Sequence, residues 1–147
     1  MSEPAARDFQ ILLVEDNDDD VFLIRKAIAQ ASAPITIEVA VNGDLLMQEL
    51  VRRCAAGIAL PAVVLLDINM PRLDGFQVLH AIKADPKLRH IPILILTTSG
   101  RREDVQRAFD LGASSFFTKP AEFDDLVALM EQILTYWRRV TRLPRGS

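Results

Sequence analysis

Acidic, hydroxyl and basic side chains follow the short apolar segments of this sequence, at positions where β-strands are predicted to end. Glu15 and Asp16 follow the first segment, and Asp67 follows the third. Thr97 follows the fourth segment and Lys119 follows the fifth. In an open parallel sheet the carboxyl ends of the strands meet at one edge, which is where ligands bind. The sequence therefore predicts a site that combines three carboxylates with a hydroxyl group and an ammonium group.

Such a cluster of carboxylates requires positive charge nearby. Two carboxylates roughly 4 Å apart repel each other by about 4 kcal/mol at an effective dielectric constant near 20. Lys119 can offset part of that repulsion, and a hard divalent cation can offset the rest. Magnesium suits the site because it takes oxygen ligands, keeps several waters and binds through one or two carboxylates plus a phosphate.

Strand-like and helix-like segments alternate five times along the chain. Three of the apolar segments are apolar at nearly every position, which is typical of strands buried on both faces of a parallel sheet. The predicted strands cover residues 11–14, 35–41, 62–66, 91–96 and 115–118, and the predicted helices cover residues 21–31, 43–54, 76–84, 102–111 and 122–137. This alternation predicts an α/β domain with a doubly wound parallel sheet and right-handed crossovers.

The helical segments have apolar residues at spacings of three and four. In the second helix, Leu46, Leu50 and Val51 are predicted to share the buried face. Residues 17–20 read Asn-Asp-Asp-Asp, which favours an N-cap and a partner for the positive end of the first helix. Trp137 is predicted to continue the apolar stripe of the fifth helix, with Tyr136 beside it.

Composition excludes several classes of protein. The chain has 147 residues, 25% of them charged, and a net charge of −3, so charge gives no reason to expect nucleic acid or an anionic membrane as a partner. Cys54 is the single cysteine, which excludes an intramolecular disulfide and a site built from several thiolates. No apolar run approaches the roughly 18 residues of a membrane span. Because the first residues also do not read as a signal peptide, we expect a cytoplasmic protein.

Four separated motifs together resemble a response-regulator receiver domain. They are residues 14–17 (Val-Glu-Asp-Asn), 65–75 (from Leu-Leu-Asp to Leu-Asp-Gly), 96–98 (Leu-Thr-Thr) and 116–120 (Phe-Phe-Thr-Lys-Pro). The resemblance covers residues 9–138 and implies a flavodoxin-like fold of five helices around a five-stranded sheet in the order 2-1-3-4-5. Residues 1–8 and 139–147 are then tails, and the last five residues resemble a protease-site remnant of recombinant expression.

The resemblance implies a phosphorylation-activated signalling protein without an output domain. Asp67 would accept a phosphoryl group from a sensor histidine kinase. Magnesium would be held by Glu15, Asp16, Asp67 and the backbone carbonyl of Asn69. The expected activity is limited to magnesium-dependent self-phosphorylation and autodephosphorylation, so the protein is not expected to be an enzyme in the ordinary sense.

The same resemblance implies how the phosphoryl group is detected. Thr97 and Lys119 would each contact a phosphoryl oxygen, and Phe116 would change rotamer as Thr97 moves. Some members carry Tyr at the position of Phe116, so the hydroxyl of that residue is missing here. A cis peptide bond before Pro120 would turn Lys119 inward.

A narrower resemblance concerns residues 83–92 (Lys-Ala-Asp-Pro-Lys-Leu-Arg-His-Ile-Pro) and 96–99. These segments resemble the single-domain regulators that partner bacterial phytochromes. The resemblance implies a phytochrome-type kinase as partner and a homodimer formed by the fourth helix, the fifth strand and the fifth helix. Tyr136 and Trp137, near the end of that helix, are candidates for this interface.

Three other functions use a similar arrangement of residues. A haloacid-dehalogenase-type phosphohydrolase requires a second Asp where this chain has Asn69, and it requires a cap insertion. A flavin-binding flavodoxin requires a phosphate loop rich in hydroxyl groups and glycine, whereas Glu15 and Asp16 would repel phosphate. A receiver-like domain that is never phosphorylated typically lacks one of the acidic or lysine positions, and none is lost here.

Overall fold

The computed structural model describes residues 9–31, 35–68, 75–98 and 100–140. They form one five-stranded parallel sheet in the order β2-β1-β3-β4-β5, with helices in the crossovers. The strands are β1 (Gln10–Val14), β2 (Thr36–Ala40), β3 (Val63–Leu66), β4 (Ile93–Thr97) and β5 (Ser115–Thr118). The predicted sheet and its strand order are therefore confirmed.

In the described parts of the chain, five α-helices connect or follow the strands. They are α1 (Asp18–Gln30), α2 (Gly43–Ala56), α3 (Gly75–Ala84), α4 (Arg102–Asp110) and α5 (Phe123–Thr135), and a π-helical turn (Tyr136–Val140) continues α5. Asn17 caps α1, since its side chain accepts a hydrogen bond from the backbone N–H of Asp20 at 2.9 Å. Asn42 caps α2 in the same way, through the backbone N–H of Leu45 at 2.8 Å. Among the described residues, no helix is long and apolar enough to cross a membrane.

Helices cover both faces of the sheet, which explains the nearly continuous apolar strands. Along β1, Ile11 and Leu13 pack towards α1 and α5, whereas Leu12 and Val14 pack towards α2 and α3. The same alternation holds along β3. Because both faces are buried, residues 11–14 of β1 and residues 63–66 of β3 are all apolar.

Two details of the sequence prediction are wrong. Val51 is 55% exposed, and the buried row of α2 instead runs through Leu46, Leu50 and Arg53. The Arg53 guanidinium tolerates burial because it donates hydrogen bonds to Glu49 at 2.7 Å, to Glu38 at 2.8 Å, and to Gln10. The peptide bond before Pro120 is trans rather than cis. The tail predicted for residues 1–8 and most of the tail predicted for residues 139–147 lie outside the described residues.

Candidate functional site at the carboxyl edge of the sheet

Backbone hydrogen bonds continue past the ends of the strands and fix the residues of the site. The N–H of Glu15 donates to the carbonyl of Ala40 at 3.1 Å, and the N–H of Asp67 donates to Val14 at 3.2 Å. On the other side, the N–H of Lys119 donates to the carbonyl of Thr97 at 2.8 Å. The sheet ladder therefore holds the backbones of these residues at one edge, as the sequence predicted.

The three predicted acidic residues lie together. Glu15 is 1% exposed and Asp67 is 7% exposed, while Asp16 lies on the surface. Each contributes a carboxylate oxygen, and these three oxygens lie within 4.8 Å of one another. A set of hard oxygen donors, one of them on the exposed Asp16, fits a magnesium ion that keeps several waters. Asn69, the fourth predicted ligand, lies outside the described residues.

Lys119 reaches into this cluster from the end of β5. Its Nζ donates to Oε1 of Glu15 at 2.7 Å and to Oδ2 of Asp20 at 2.9 Å. The distance from Nζ to Oδ2 of Asp67 is longer, at 3.9 Å. Lys119 thus links the ends of β1, β3 and β5 to the first turn of α1.

Burial and neighbouring charges shift the pKa values of Glu15 and Lys119. Burial raises the pKa of Glu15 above its usual value, although the hydrogen bond from Lys119 opposes that shift. Burial would lower the pKa of Lys119, but its hydrogen bonds to Glu15 and Asp20 outweigh burial and raise that pKa. Lys119 therefore stays protonated and supplies a permanent positive charge beside the carboxylates.

Asp20 also belongs to the site, although the sequence predicted for it only a role at the N-terminus of α1. Its position could have indicated more, because Asp20 lies one turn before Ile24 and two turns before Ile28, both of which are buried. Asp20 is half-buried on this row, and its carboxylate accepts a hydrogen bond from Lys119.

Gly75 sets the approach of α3 to the end of β3. It is buried as the first residue of α3, and its N–H donates to the carbonyl of Ile68 at 3.3 Å. A Cβ at this position would lie 2.3 Å from Cα of Ile68 and 2.7 Å from the backbone oxygen of Asp67. Only glycine therefore allows α3 to begin this close to the backbone of Asp67.

The two predicted switch residues lie on neighbouring strands. Thr97 is fully buried at the end of β4. Phe116 is half-buried on β5, pairs in register with Ile95, and packs against the core on the side of α2, α3 and α4. Any movement of the Thr97 side chain thus occurs one strand away from an aromatic ring at the margin of the core.

Exposed aromatic residues lie on the helices beside β5. Phe109 on α4 is 47% exposed, and Tyr136 is 50% exposed. Trp137 instead packs against the core between the sheet, α1 and α5, and the Tyr136 and Trp137 rings meet edge to face with centroids 5.1 Å apart. Of the two predicted interface aromatics, Tyr136 is therefore the more exposed, and Trp137 closes the core.

The order of strands and the acidic edge with its lysine define a class of protein. The family model described as "Response regulator receiver domain" matches residues 11–131. The chain belongs to the response regulator receiver domain family, in which an aspartate accepts a phosphoryl group.

Individual relatives match most of the chain. The probable methanogenesis regulatory protein FilR2 of Methanothrix harundinacea is 38% identical over 136 residues, which cover 92% of this chain and 88% of the relative. The response regulator Rcp1 of Synechocystis is 31% identical over 135 residues, covering 91% of this chain and 92% of the relative.

Solved structures agree with the sequence relatives. The phosphorylated cyanobacterial phytochrome response regulator RcpA superposes with a TM-score of 0.84 at 34% identity, covering 93% of this chain and 99% of that protein. The Mn²⁺-bound form of Rcp1 superposes with a TM-score of 0.79 at 30% identity, covering 92% and 98%. The predicted resemblance to phytochrome response regulators is thus confirmed.

Proposed function

We propose that Asp67 accepts a phosphoryl group from a phosphohistidine of a sensor histidine kinase, and that the phosphorylated chain signals by binding other proteins. The supporting observation is the placement of Asp67, a buried carboxylate flanked by Glu15, Asp16 and the charged Lys119. In this proposal, residues 9–138 form the receiver domain.

The proposed location of the protein is the cytoplasm, where the ATP that phosphorylates such kinases is present.

The transfer step needs little covalent assistance from the protein. A carboxylate oxygen of Asp67 attacks phosphorus in line, the phosphorus–nitrogen bond of the phosphohistidine breaks, and the imidazole leaves with that electron pair. Lys119, whose Nζ lies 3.9 Å from Oδ2 of Asp67, would donate a hydrogen bond to a phosphoryl oxygen and neutralise part of its charge. Autodephosphorylation is the later attack of water on phosphorus, which releases inorganic phosphate and restores Asp67.

Magnesium is the cofactor that this donor set supports. Glu15, Asp16 and Asp67 would hold it, with the Asn69 carbonyl as a further proposed ligand. When bound, the ion supplies charge neutralisation and orientation for the phosphoryl oxygens. The Mn²⁺-bound form of Rcp1, a relative of the same size, supports a divalent cation in this family.

The experiment that tests the acceptor residue is intact-mass spectrometry after incubation with acetyl phosphate and Mg²⁺. The wild-type chain should gain the mass of one phosphoryl group, and Asp67→Asn should gain none. Asp85→Asn, which changes an acid in the loop after α3, is the matched control and should label as the wild type does. Equal labelling of Asp67→Asn and wild type would show that the acceptor is another residue.

The signalling change is proposed to begin at Thr97 and Phe116. Thr97 would donate its hydroxyl hydrogen to a phosphoryl oxygen and vacate space that the Phe116 ring then enters. The half-buried position of Phe116 beside β4 supports this, because a ring at the margin of the core can repack at small cost. Phosphorylation of Thr97→Ala should still proceed, but ring-proton shifts of Phe116 in NMR spectra should no longer follow it.

A phytochrome-type histidine kinase is the proposed partner. The description of RcpA as a cyanobacterial phytochrome response regulator and the match to the bacteriophytochrome response regulator AtBRR support this assignment. Phosphotransfer from a purified bacteriophytochrome kinase should be faster than transfer from a histidine kinase of another sensory class at equal concentration. Equal rates would contradict the phytochrome-type partner, and the proposal of phosphotransfer from a sensor histidine kinase would remain.

We also propose a homodimer through α4, β5 and α5. The exposed rings of Phe109 and Tyr136 favour this surface, and β5 is an edge strand. Light scattering at micromolar concentration should give the mass of two chains for the wild type and of one chain for Phe109→Ser combined with Tyr136→Ser. A Phe22→Ser variant, which removes an exposed ring from α1, should stay dimeric.

A further inference from the structure

We propose that Asp20 is a positioning residue that competes with the phosphorylated acceptor for Lys119, and so limits how tightly the site holds a phosphoryl group. The inference rests on the proposed role of Asp67. It assigns to Asp20 an opposing role, in which the first turn of α1 holds the lysine away from the acceptor.

The contacts of Lys119 carry the argument. An ammonium group has three hydrogens to donate. Glu15 and Asp20 take two of them at 2.7 and 2.9 Å, while Asp67 lies 3.9 Å away. One hydrogen remains, but Glu15 and Asp20 rather than Asp67 set the position of Nζ, so a phosphoryl oxygen on Asp67 has to share the lysine with these two carboxylates or draw it away from them. Both carboxylates that hold it resist that shift.

Asp20 is the adjustable member of the pair. Glu15 is buried and anchored in the sheet ladder, and it also belongs to the proposed metal site. The side chain of Asp20 is 35% exposed, so its carboxylate is already partly hydrated and little ion-pair energy is lost when it turns to water. Releasing Lys119 from Asp20 thus costs less free energy than releasing it from Glu15.

The first turn of α1 does not need Asp20 for its own stability. Asn17 provides the side-chain cap, and Asp18 and Asp19 place negative charge at the positive end of the helix. Asp20 differs from these two because it lies on the buried row of α1 and reaches Lys119, 99 residues later in the chain. Its charge is therefore used at the site rather than at the helix terminus.

The test measures the affinity of the full chain for beryllofluoride, an anion that adds to an aspartate carboxylate and imitates a phosphoryl group. Titrations at saturating Mg²⁺ can be followed by ¹⁹F NMR. Asp20→Asn keeps the shape of the side chain and removes its charge, and we expect it to lower the dissociation constant about threefold, as a partly exposed ion pair allows. Asp19→Asn removes the same charge from the same turn without the contact to Lys119, and should leave the dissociation constant unchanged.

A double-mutant cycle separates a direct effect from a general loss of negative charge. In a Lys119→Met background, Asp20→Asn should no longer change the affinity, because the residue it competes for is absent. Equal affinities of Asp20→Asn and wild type, or an equal gain from Asp19→Asn, would overturn the role of Asp20 alone. A wild-type chain that binds no beryllofluoride at Asp67 would overturn the proposed function as well. Circular dichroism of each variant establishes that it is folded, and Asp20→Ala provides a second uncharged variant with the same expected gain.

Discussion

Replacing Lys119 by Met should destabilise the metal-free protein strongly, because it leaves a buried carboxylate without its ammonium partner. Lys119 is 11% exposed and contacts the Glu15 carboxylate at 2.7 Å. Methionine preserves most of the side-chain stem and removes the charge. After this change, Glu15, Asp67 and Asp20 repel one another with no cation at their centre.

The size of the effect follows from the geometry of the pair. At 2.7 Å and an effective dielectric constant near 20, the attraction between Lys119 and Glu15 is about 6 kcal/mol. The cost of removing the ammonium group from water offsets part of that attraction. Removing one partner of a buried pair typically costs about 3–5 kcal/mol. We expect about 3 kcal/mol here, because Asp20 can return to water when the lysine is lost.

Urea unfolding followed by the fluorescence of Trp137 measures this difference, since the single tryptophan packs against the core beside α1 and α5. In EDTA, Lys119→Met should lower the free energy of unfolding by about 3 kcal/mol. The exposed control, Lys87→Met, should change it by less than about 0.5 kcal/mol. With Mg²⁺ present, the difference in free energy of unfolding between Lys119→Met and wild type should be smaller, because a bound cation replaces part of the lost charge. A Lys119→Met variant as stable as wild type in EDTA would refute the view that this lysine holds the acidic edge together.

Three further outcomes are expected. Asp16→Ala should remove most of the rise in melting temperature that Mg²⁺ produces, because one of the three clustered oxygens is lost. Differential scanning fluorimetry measures this rise, and an unchanged rise in the variant would place the ion elsewhere. Gly75→Ala should lower the free energy of unfolding by about 1–3 kcal/mol and slow labelling by acetyl phosphate, because the new Cβ collides with the backbone beside Asp67. A variant with normal stability and normal labelling would contradict that reasoning. Hydrogen bonds from Arg52 and Arg53 lower the pKa of Glu49 from 4.5 to about 2, so the stability they provide is complete above pH 4.5 and is lost as the pH falls towards 2. Arg52→Met should flatten that part of a melting-temperature profile, and an identical profile would show that the pair contributes nothing.

The fold could be predicted because burial on both faces leaves a clear pattern in the strands. Val63, Val64, Leu65 and Leu66 form an unbroken apolar run, which is typical of a strand between two layers of helices. Asp67 immediately after that run was therefore placed correctly at the edge of the sheet. Its neighbours at the site followed from the same rule applied to the other strands.

The parts that could not be predicted involve charged residues inside apolar helix faces. Asp20 precedes Ile24 on the inner row of α1, and Arg53 follows Leu50 on the inner row of α2. Helix periodicity places both residues inward, but it does not reveal their partners, which lie far along the chain: Lys119 for Asp20, and Gln10 for Arg53. The spacing of a single helix carries no information about such tertiary pairs, so Asp20 was predicted only as a charge at the helix terminus and no role was predicted for Arg53.

The pairing of Lys119 with Glu15 also has a consequence for how the chain folds. The two residues are 104 positions apart, and the contact between them requires β5 to dock beyond β4 at the far side of the sheet. Contacts of such high sequence separation form slowly, because the loop must close before the contact stabilises it. During synthesis the ribosome releases every acidic member of the cluster long before the lysine, so the nascent chain carries the carboxylates without their ammonium group. Assembly of the complete site should therefore wait until β5 has docked, since the contact between Lys119 and Glu15 can form only after the chain from β1 to β5 has been brought into the sheet.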